Sequence, residues 1–308
     1  MSEFPFTEQQ YTSYKPLLFS LAYRMLGSVT DAEDIVHEAF LSLKDTDTIS
    51  NLKSYLCRTT TNRCIDRLRS AQSKRELYVG PWLPEPYVSE EGAAPDPFQA
   101  FAQKESLSTA YLLLLQQLSW VERVVFLLRE GLQYEYDEIA EIVGKSSVNC
   151  RQIFHRAKQS VGSLPLEGDA SSSASGEQSR QMAELLGRFV QSLQTGNLNG
   201  LLDVLSQDAI VYSDGGGKVT AAVRPITGAD RVVRFFEGLL KKASPGFSFR
   251  FAPVNGEPGL LTYEYGKPAS VLSFRVEEDR IADIYIVLNP DKLTHIQVKE
   301  GPRAPNGG

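Results

Sequence analysis

The sequence predicts a multidomain chain: two all-α units in succession, then an α+β domain. Three observations carry that prediction. Apolar residues recur at spacings of three and four through about 11–73 and again through 99–163. Two stretches break the pattern: 76–98, rich in proline and acid, and 164–177, LPLEGDASSSASGE, short-chained and flexible. Beyond about 205, β-branched and aromatic runs of strand length appear, and helices followed by a mostly antiparallel sheet indicate α+β.

The first helix is expected over 11–26, with Tyr14, Leu17, Leu18, Leu21, Ala22 and Met25 on one face and Gly27-Ser28 ending it. Thr30 then reads as an N-cap, with Asp31, Glu33 and Asp34 suited to the positive first turn of a helix over 31–44. That helix buries Ile35, Ala39, Phe40 and Leu43 and turns acid outward. A third helix, about 51–73, is expected to bury Leu52, Tyr55, Leu56, Thr59, Cys64, Ile65 and Leu68. Its other faces carry Arg58, Arg63, Arg67 and Arg69, with Thr59, Thr60, Thr61 and Asn62 midway. Arginines hold phosphates, while Asn and Thr can bond to a base edge and Tyr55 can stack on an unpaired base.

Residues 76–98 contain Pro81, Pro84, Pro86, Pro95 and Pro97, which exclude a regular helix. They read as a stiff acidic linker, with Trp82 in its WLPEP core as an exposed aromatic. Helical patterning resumes at Phe98, and Ser119 with Glu122 forms a capping box before Val124–Leu128. Ile139, Ala140, Ile142 and Val143 then form a short helix, Gly144 breaks it, and a basic second helix carries Arg151, Gln152, His155, Arg156 and Lys158. This is the helix-turn-helix pattern, whose second helix enters the DNA major groove. An αα-hairpin with a solvated basic face is the plain alternative. Further on, helices are expected over 178–194, 198–206 and 228–242. Strands are expected at Ile210–Tyr212, Phe247–Phe251, Leu260–Tyr265, Val271–Val276 and Ile281–Leu288.

The net charge of −6 looks wrong for a DNA-binding protein, but its distribution does not. Residues 26–50 hold six acids against Lys44 alone, and 51–75 hold seven basic residues against Asp66 alone. Screening confines each field to about 8–10 Å, so a local basic face can hold phosphate on an acidic molecule. No run of eighteen apolar residues occurs, so no membrane span or membrane partner is expected. The start, MSEFPFTEQQ, lacks a signal-peptide layout, which points to the cytoplasm. Cys57, Cys64 and Cys150 are widely spaced and read as reduced, buried side chains; no metal and no cofactor are expected.

Taken together, these segments resemble the extracytoplasmic-function (group IV) sigma-70 family of RNA polymerase sigma factors. Residues 31–43, DAEDIVHEAFLSL, look like that family's polymerase-binding helix, 52–69 like its promoter-melting region, and 134–158 like its minus-35 reader. WLPEP (Trp82, Leu83, Pro84, Glu85, Pro86), DGGGK (Asp214, Gly215, Gly216, Gly217, Lys218) and NPDKL (Asn289, Pro290, Asp291, Lys292, Leu293) match a subgroup with a SnoaL-like C-terminal extension.

The resemblance implies two all-α sigma domains, sigma region 2 over 1–75 and region 4 with its helix-turn-helix over 99–163, followed by an α+β SnoaL-like regulatory domain over 178–295. Linkers would occupy 76–98 and 164–177, and a tail 296–308. It further implies a bacterial alternative sigma factor that directs core RNA polymerase to promoter DNA and is monomeric when free. Its activity would be modulated by its own C-terminal domain, for which a small-molecule ligand is a further implied partner. Asp34, Glu38 and Phe40 would bind polymerase, with His37 standing where the family has Gln. Asn62 would accept a flipped base beside Arg58, Arg63 and Arg67. Arg151, Gln152, His155 and Arg156 would face a TGTCA-like element.

Promoter elements roughly 16–18 base pairs apart are separated by about 55–60 Å, and a linker of about 22 residues extends to about 65–75 Å. The WLPEP, DGGGK and NPDKL residues would make regulatory contacts, and no catalytic residue is expected. Two other readings stay open at this stage. One is a ligand-responsive helix-turn-helix regulator acting without polymerase, and the other a DNA-binding unit fused to a SnoaL-like enzyme using Asp203, Asp208 or Asp214.

Overall fold

A computed structural model describes residues 7–43, 49, 51–75, 78–89, 107–162 and 172–296. Residues 164–171 of the expected 164–177 linker, 90–98 of the expected 76–98 linker and the tail beyond Ile296 lie outside the described residues. Two compact units emerge. The first takes the N-terminal helices together with those from Tyr111 onward. The second takes the C-terminal residues together with Tyr78–Ala93 and Ser108–Ala110.

In the first unit, α1 (Glu8–Leu26) opens on a Thr7–Gln10 capping box and closes on Gly27, whose φ of 68° is the left-handed end only glycine adopts readily. Helix α2 (Val29–Leu41) starts earlier than the sequence suggests. Ser28, not Thr30, is the N-cap, its hydroxyl accepting from the Asp31 N–H at 3.1 Å. Helix α3 spans Leu52–Arg75. It buries Leu56, Cys57, Thr60, Thr61, Cys64, Ile65 and Leu68. Tyr55 is exposed, contrary to expectation, because the buried stripe runs through Leu56 and Thr60 rather than Tyr55 and Thr59.

Helix α4 (Thr109–Gln117) leads to α5 (Trp120–Phe126), which has the expected Ser119–Glu122 capping box and continues through a π-turn at Leu127–Gly131. Helices α6 (Tyr136–Val143) and α7 (Ser147–Val161) form the helix-turn-helix. Gly144 (φ 67°) ends the first, and the Ser146 hydroxyl caps the second.

Arg123 holds this unit together from inside. It is 3% exposed, and its guanidinium donates to the carbonyls of Leu115, Gln116 and Leu118 near the end of α4 and to Met25 at the end of α1. Helix ends leave such carbonyls without partners, and one planar fork satisfies four of them. The N-terminal helices and the helix-turn-helix part therefore pack as one body. Across the same boundary the Arg69 guanidinium lies 4.7 Å from the Trp120 ring centroid, and Arg58 pairs with Glu141 at 3.4 Å.

The second unit begins its C-terminal part with α8 (Ser172–Thr195), which starts inside the expected flexible linker. No proline interrupts 172–195, so the serine-rich lead continues the helix. Helices α9 (Leu198–Val204) and α10 (Ala229–Leu240) follow. The strands are β1 (Leu205–Asp214), β2 (Ile226–Thr227), β3 (Phe247–Val254), β4 (Glu257–Glu264), β5 (Lys267–Glu277) and β6 (Arg280–Val287). They form one sheet in the order β2-β1-β6-β5-β4-β3, antiparallel except for the parallel pair β1–β6.

The three helices cover one face, where Phe189 of α8 makes edge contacts with Phe236 of α10 at 5.3 Å and Phe274 of β5 at 5.7 Å. On β5 the next residues point the other way. Ser273 and Arg275 meet Thr109 and Asp283 on the opposite face. That second face is also buried at Val271 and Ser273 of β5 and at Asp283 of β6, so it does not show the polar-out alternation of a solvated face.

Candidate functional site

The expected DNA-facing residues of α7 behave as a set. Ile153, Phe154 and Ala157 are buried, which turns Arg151, Gln152, His155 and Arg156 outward on one exposed face. The Arg151 guanidinium rests 5.2 Å from the Tyr136 ring centroid, which fixes its direction from α6.

On α3, Asn62 and Arg58 are exposed one turn apart. Arg63 and Arg67 are half-buried and paired with acids of α2, Arg63 with Glu38 and Arg67 with Asp31 at 3.3 Å. Thr60 and Thr61 face the interior, so neither presents its hydroxyl to a base.

On α2, Asp34, His37 and Glu38 are exposed, but Phe40 is fully buried with its ring 4.8 Å from that of Tyr11. Phe40 is therefore not a surface contact. The α2 period puts it on the core side with Ile35, Val36 and Ala39, and it anchors the helix that displays the acids.

The three short C-terminal motifs come together for a topological reason. Because β1 and β6 are parallel neighbours in register Asp214↔Val287, their C-terminal ends lie side by side. DGGGK follows the one and NPDKL the other. The Asp214 carbonyl accepts from the N–H groups of both Leu288 and Asn289. Tyr78 and Leu83 bond to Asp214 at this end of the sheet, so WLPEP is no free tether: Leu83 and Pro84 are buried and Trp82 is half-buried rather than exposed.

At the centre is a buried ion pair. Lys292 Nζ lies 2.7 Å from Asp214 Oδ2. Leu83 N–H donates to the same oxygen at 2.9 Å, and the Tyr78 hydroxyl and Gly216 N–H donate to Oδ1 at 2.6 and 3.0 Å. Four donors thus fill the carboxylate. Lys292 also donates to the Leu83 carbonyl and sits over the rings of Trp82 and Tyr78, at 4.2 and 5.0 Å. Burial, then the bond to Asp214, pushes the Tyr78 phenol above its usual range.

The glycines are there for room. A Cβ on Gly216 would collide with the Asn289 carboxamide, one on Gly215 would meet the Val219 carbonyl, and one on Gly217 would come within 3.3 Å of Val79. Outside the core of the junction, Lys218 pairs with the exposed Asp291, and His295 Nε2 lies 2.9 Å from the Pro86 carbonyl. Pro290 and Leu293 frame the short turn that carries Asp291 and Lys292, and Glu85 is half-buried.

Of the carboxylates open to an enzymatic reading, Asp203 and Asp208 are exposed and Asp214 is taken up by this pair. The three cysteines are free and buried. Among the described residues no cluster fits a metal ion, and no helix is long and apolar enough to cross a membrane.

Sequence reading missed Tyr78, Arg123, Asn255 and Thr109. Only Asn255 carried a signal, an Asn-Gly hairpin pair that foretells a turn and says nothing of where its side chain reaches.

Comparison with known proteins agrees with this arrangement. The Sigma-70 region 2 family model matches residues 10–74 and the Sigma-70, region 4 model matches 108–161. The ECF RNA polymerase sigma factor SigJ of Mycobacterium tuberculosis is 33% identical over 97% of this chain and 96% of that protein. The probable ECF RNA polymerase sigma factor SigI of the same species is 28% identical over 98% and 99%. The crystal structure of SigJ superimposes with a TM-score of 0.77 at 30% identity, covering 95% of this chain and all of that one. Two helical sigma domains followed by an α+β domain, together with these relatives, establish that the chain belongs to the extracytoplasmic-function sigma factors of the sigma-70 family.

Proposed function

We propose that this sigma factor engages core RNA polymerase through the exposed α2 acids Asp34 and Glu38, with His37 between them. Asn62, with Arg58 and, once freed from their acids, Arg63 and Arg67, takes the melted minus-10 strand. Arg151, Gln152, His155 and Arg156 read the minus-35 element, where a guanidinium suits guanine and a carboxamide suits adenine.

In this reading the C-terminal domain is a built-in regulator and has no chemistry of its own. One observation carries it: Lys292, paired with Asp214, donates to the backbone of Leu83 in the stretch that joins regions 2 and 4. The core between sheet and helices is filled by Phe189, Phe236 and Phe274, which supports a contact role over a ligand-holding one.

Truncation after Val287, and separately at Gly168, tests the proposal in promoter-specific transcription by reconstituted polymerase. We expect both truncations to change output, the first by removing NPDKL together with the residues that follow it while leaving the sheet in place. Unchanged output from both would overturn the regulatory role.

A further inference from the structure

We propose that Asn255 is a latch that ties Tyr87 to Thr109, and that its release is what lets the two DNA-reading helices move apart. This rests on the regulatory reading above and extends it to a residue outside the three motifs.

Asn255 and Gly256 form the two-residue turn between β3 and β4, with φ of 54° and 84° and Val254 paired to Glu257. Left-handed Asn-Gly turns of this kind need only their backbone conformation. The Asn255 side chain is nonetheless buried, at 2% exposure, and bonds to chain segments far outside the hairpin. Its N–H donates to the Tyr87 carbonyl at 2.7 Å, and its Oδ1 accepts from the Tyr87 N–H at 2.9 Å. Its Nδ2 donates to the Thr109 hydroxyl at 3.0 Å. Next to these bonds, Ser89 N–H donates to the Pro253 carbonyl at 3.1 Å, and Thr109 Oγ1 lies 2.7 Å from Ser273 Oγ.

Tyr87 belongs to the segment that follows region 2, and Thr109 opens α4 of region 4. Two atoms of one carboxamide hold them within about 8 Å of each other. The stretch of about 20 residues between them then adds nothing to the reach of the chain. Latched, the path from Arg75 through Tyr87 to Thr109 extends to about 50 Å at most, and released it extends beyond about 110 Å. Promoter elements about 55–60 Å apart fall between these limits. The latched connection leaves little slack for that separation, and the released one is ample.

The test uses the full chain. Asn255→Gly keeps the left-handed turn and the backbone bond to Tyr87 but deletes the carboxamide. Thr109→Val keeps the shape of the side chain and removes its hydroxyl. We expect Asn255→Gly to speed hydrogen exchange at the Tyr87 amide at least tenfold, with β5 and β6 amides unchanged. Both variants should raise promoter-complex formation with core polymerase several-fold.

Unchanged exchange at Tyr87, or faster exchange with no gain in promoter complexes, overturns the latch. Should Asn255→Gly fail to fold, Thr109→Val decides alone, and wild-type promoter binding by that variant overturns it too. Asp214→Asn, run in parallel, separates the two ideas. If it shifts transcription while the latch variants do not, the regulatory junction stands and the latch falls. If none of the three does, both fall.

Discussion

Lys292 and Asp214 lie 2.7 Å apart, and their side chains are 8% and 0% exposed. Removing one member of a buried pair leaves the other charged and unsolvated, which costs about 3–5 kcal/mol. Asp214→Asn is therefore expected to destabilise the C-terminal unit by about that amount, read by urea unfolding of the full chain in a Trp120→Phe background, where Trp82 fluorescence is the local probe. Lys292→Met should cost less, because Tyr78, Leu83 and Gly216 still donate to the carboxylate. The double variant should cost less than the two single losses added. A loss under about 1 kcal/mol for Asp214→Asn would mean that the pair is hydrated in solution.

Gly216 and Gly144 make a controlled comparison. Both are left-handed, at φ 60° and 67°, so alanine at either is strained by about 1–2 kcal/mol. At Gly144 a Cβ would meet nothing within 4 Å, whereas at Gly216 it would collide with Asn289. Gly216→Ala should therefore be clearly the more destabilising in thermal unfolding, and it alone should change transcription by loosening the junction. Equal costs for the two substitutions would remove the packing role assigned to Gly216.

The local features of this chain were readable in advance because they depend on neighbours in sequence. The Ser119–Glu122 box, the Gly144 stop and the outward face of α7 follow from capping and period alone. Phe40 shows the limit of a motif: resemblance marks a helix as a contact, but only the helical period says which of its residues face outward. The docking of Leu83 and Pro84 was hidden for a different reason. A proline-rich acidic stretch has the composition of a tether whether or not another unit offers it a groove. Likewise the meeting of DGGGK with NPDKL depends on β1 and β6 being parallel neighbours, a long-range pairing that neither strand's own sequence encodes.

Arg151 offers the sharpest test of the helix-turn-helix. It is exposed and held over Tyr136, and in the proposed reading it makes a bidentate contact with guanine. Arg151→Ala is expected to weaken holoenzyme binding by about 1–3 kcal/mol at the preferred minus-35 sequence and to relax discrimination at one base position. Lys158→Ala, by contrast, removes a residue tied to Glu130 at 3.2 Å and should leave sequence preference unchanged. Uniform weakening across all minus-35 variants by Arg151→Ala would reassign it to phosphate contact.

Cys57 reports on the packing of region 2 against region 4. Burial pushes its thiol up, and a bond from Tyr134, in the turn before α6, offsets part of that shift. Cys64 is also pushed up by burial, but it lies in the region 2 core beside Asp31 and Arg67, while Cys150 is buried in α7. Only the thiolate reacts, so a raised pKa means less reactive species at any given pH, and burial slows access further. At pH 8 all three cysteines of the free protein should resist alkylation, as read by mass spectrometry. If promoter binding separates the two regions, Cys57 loses the cover of Tyr134, its pKa falls toward the ordinary value near ~8.5, and its labelling accelerates. Cys64 and Cys150 should stay protected and serve as internal controls. Equal protection of Cys57 in the free protein and in the polymerase–promoter complex would show that regions 2 and 4 remain packed on DNA, and the span argument built on their separation would fail.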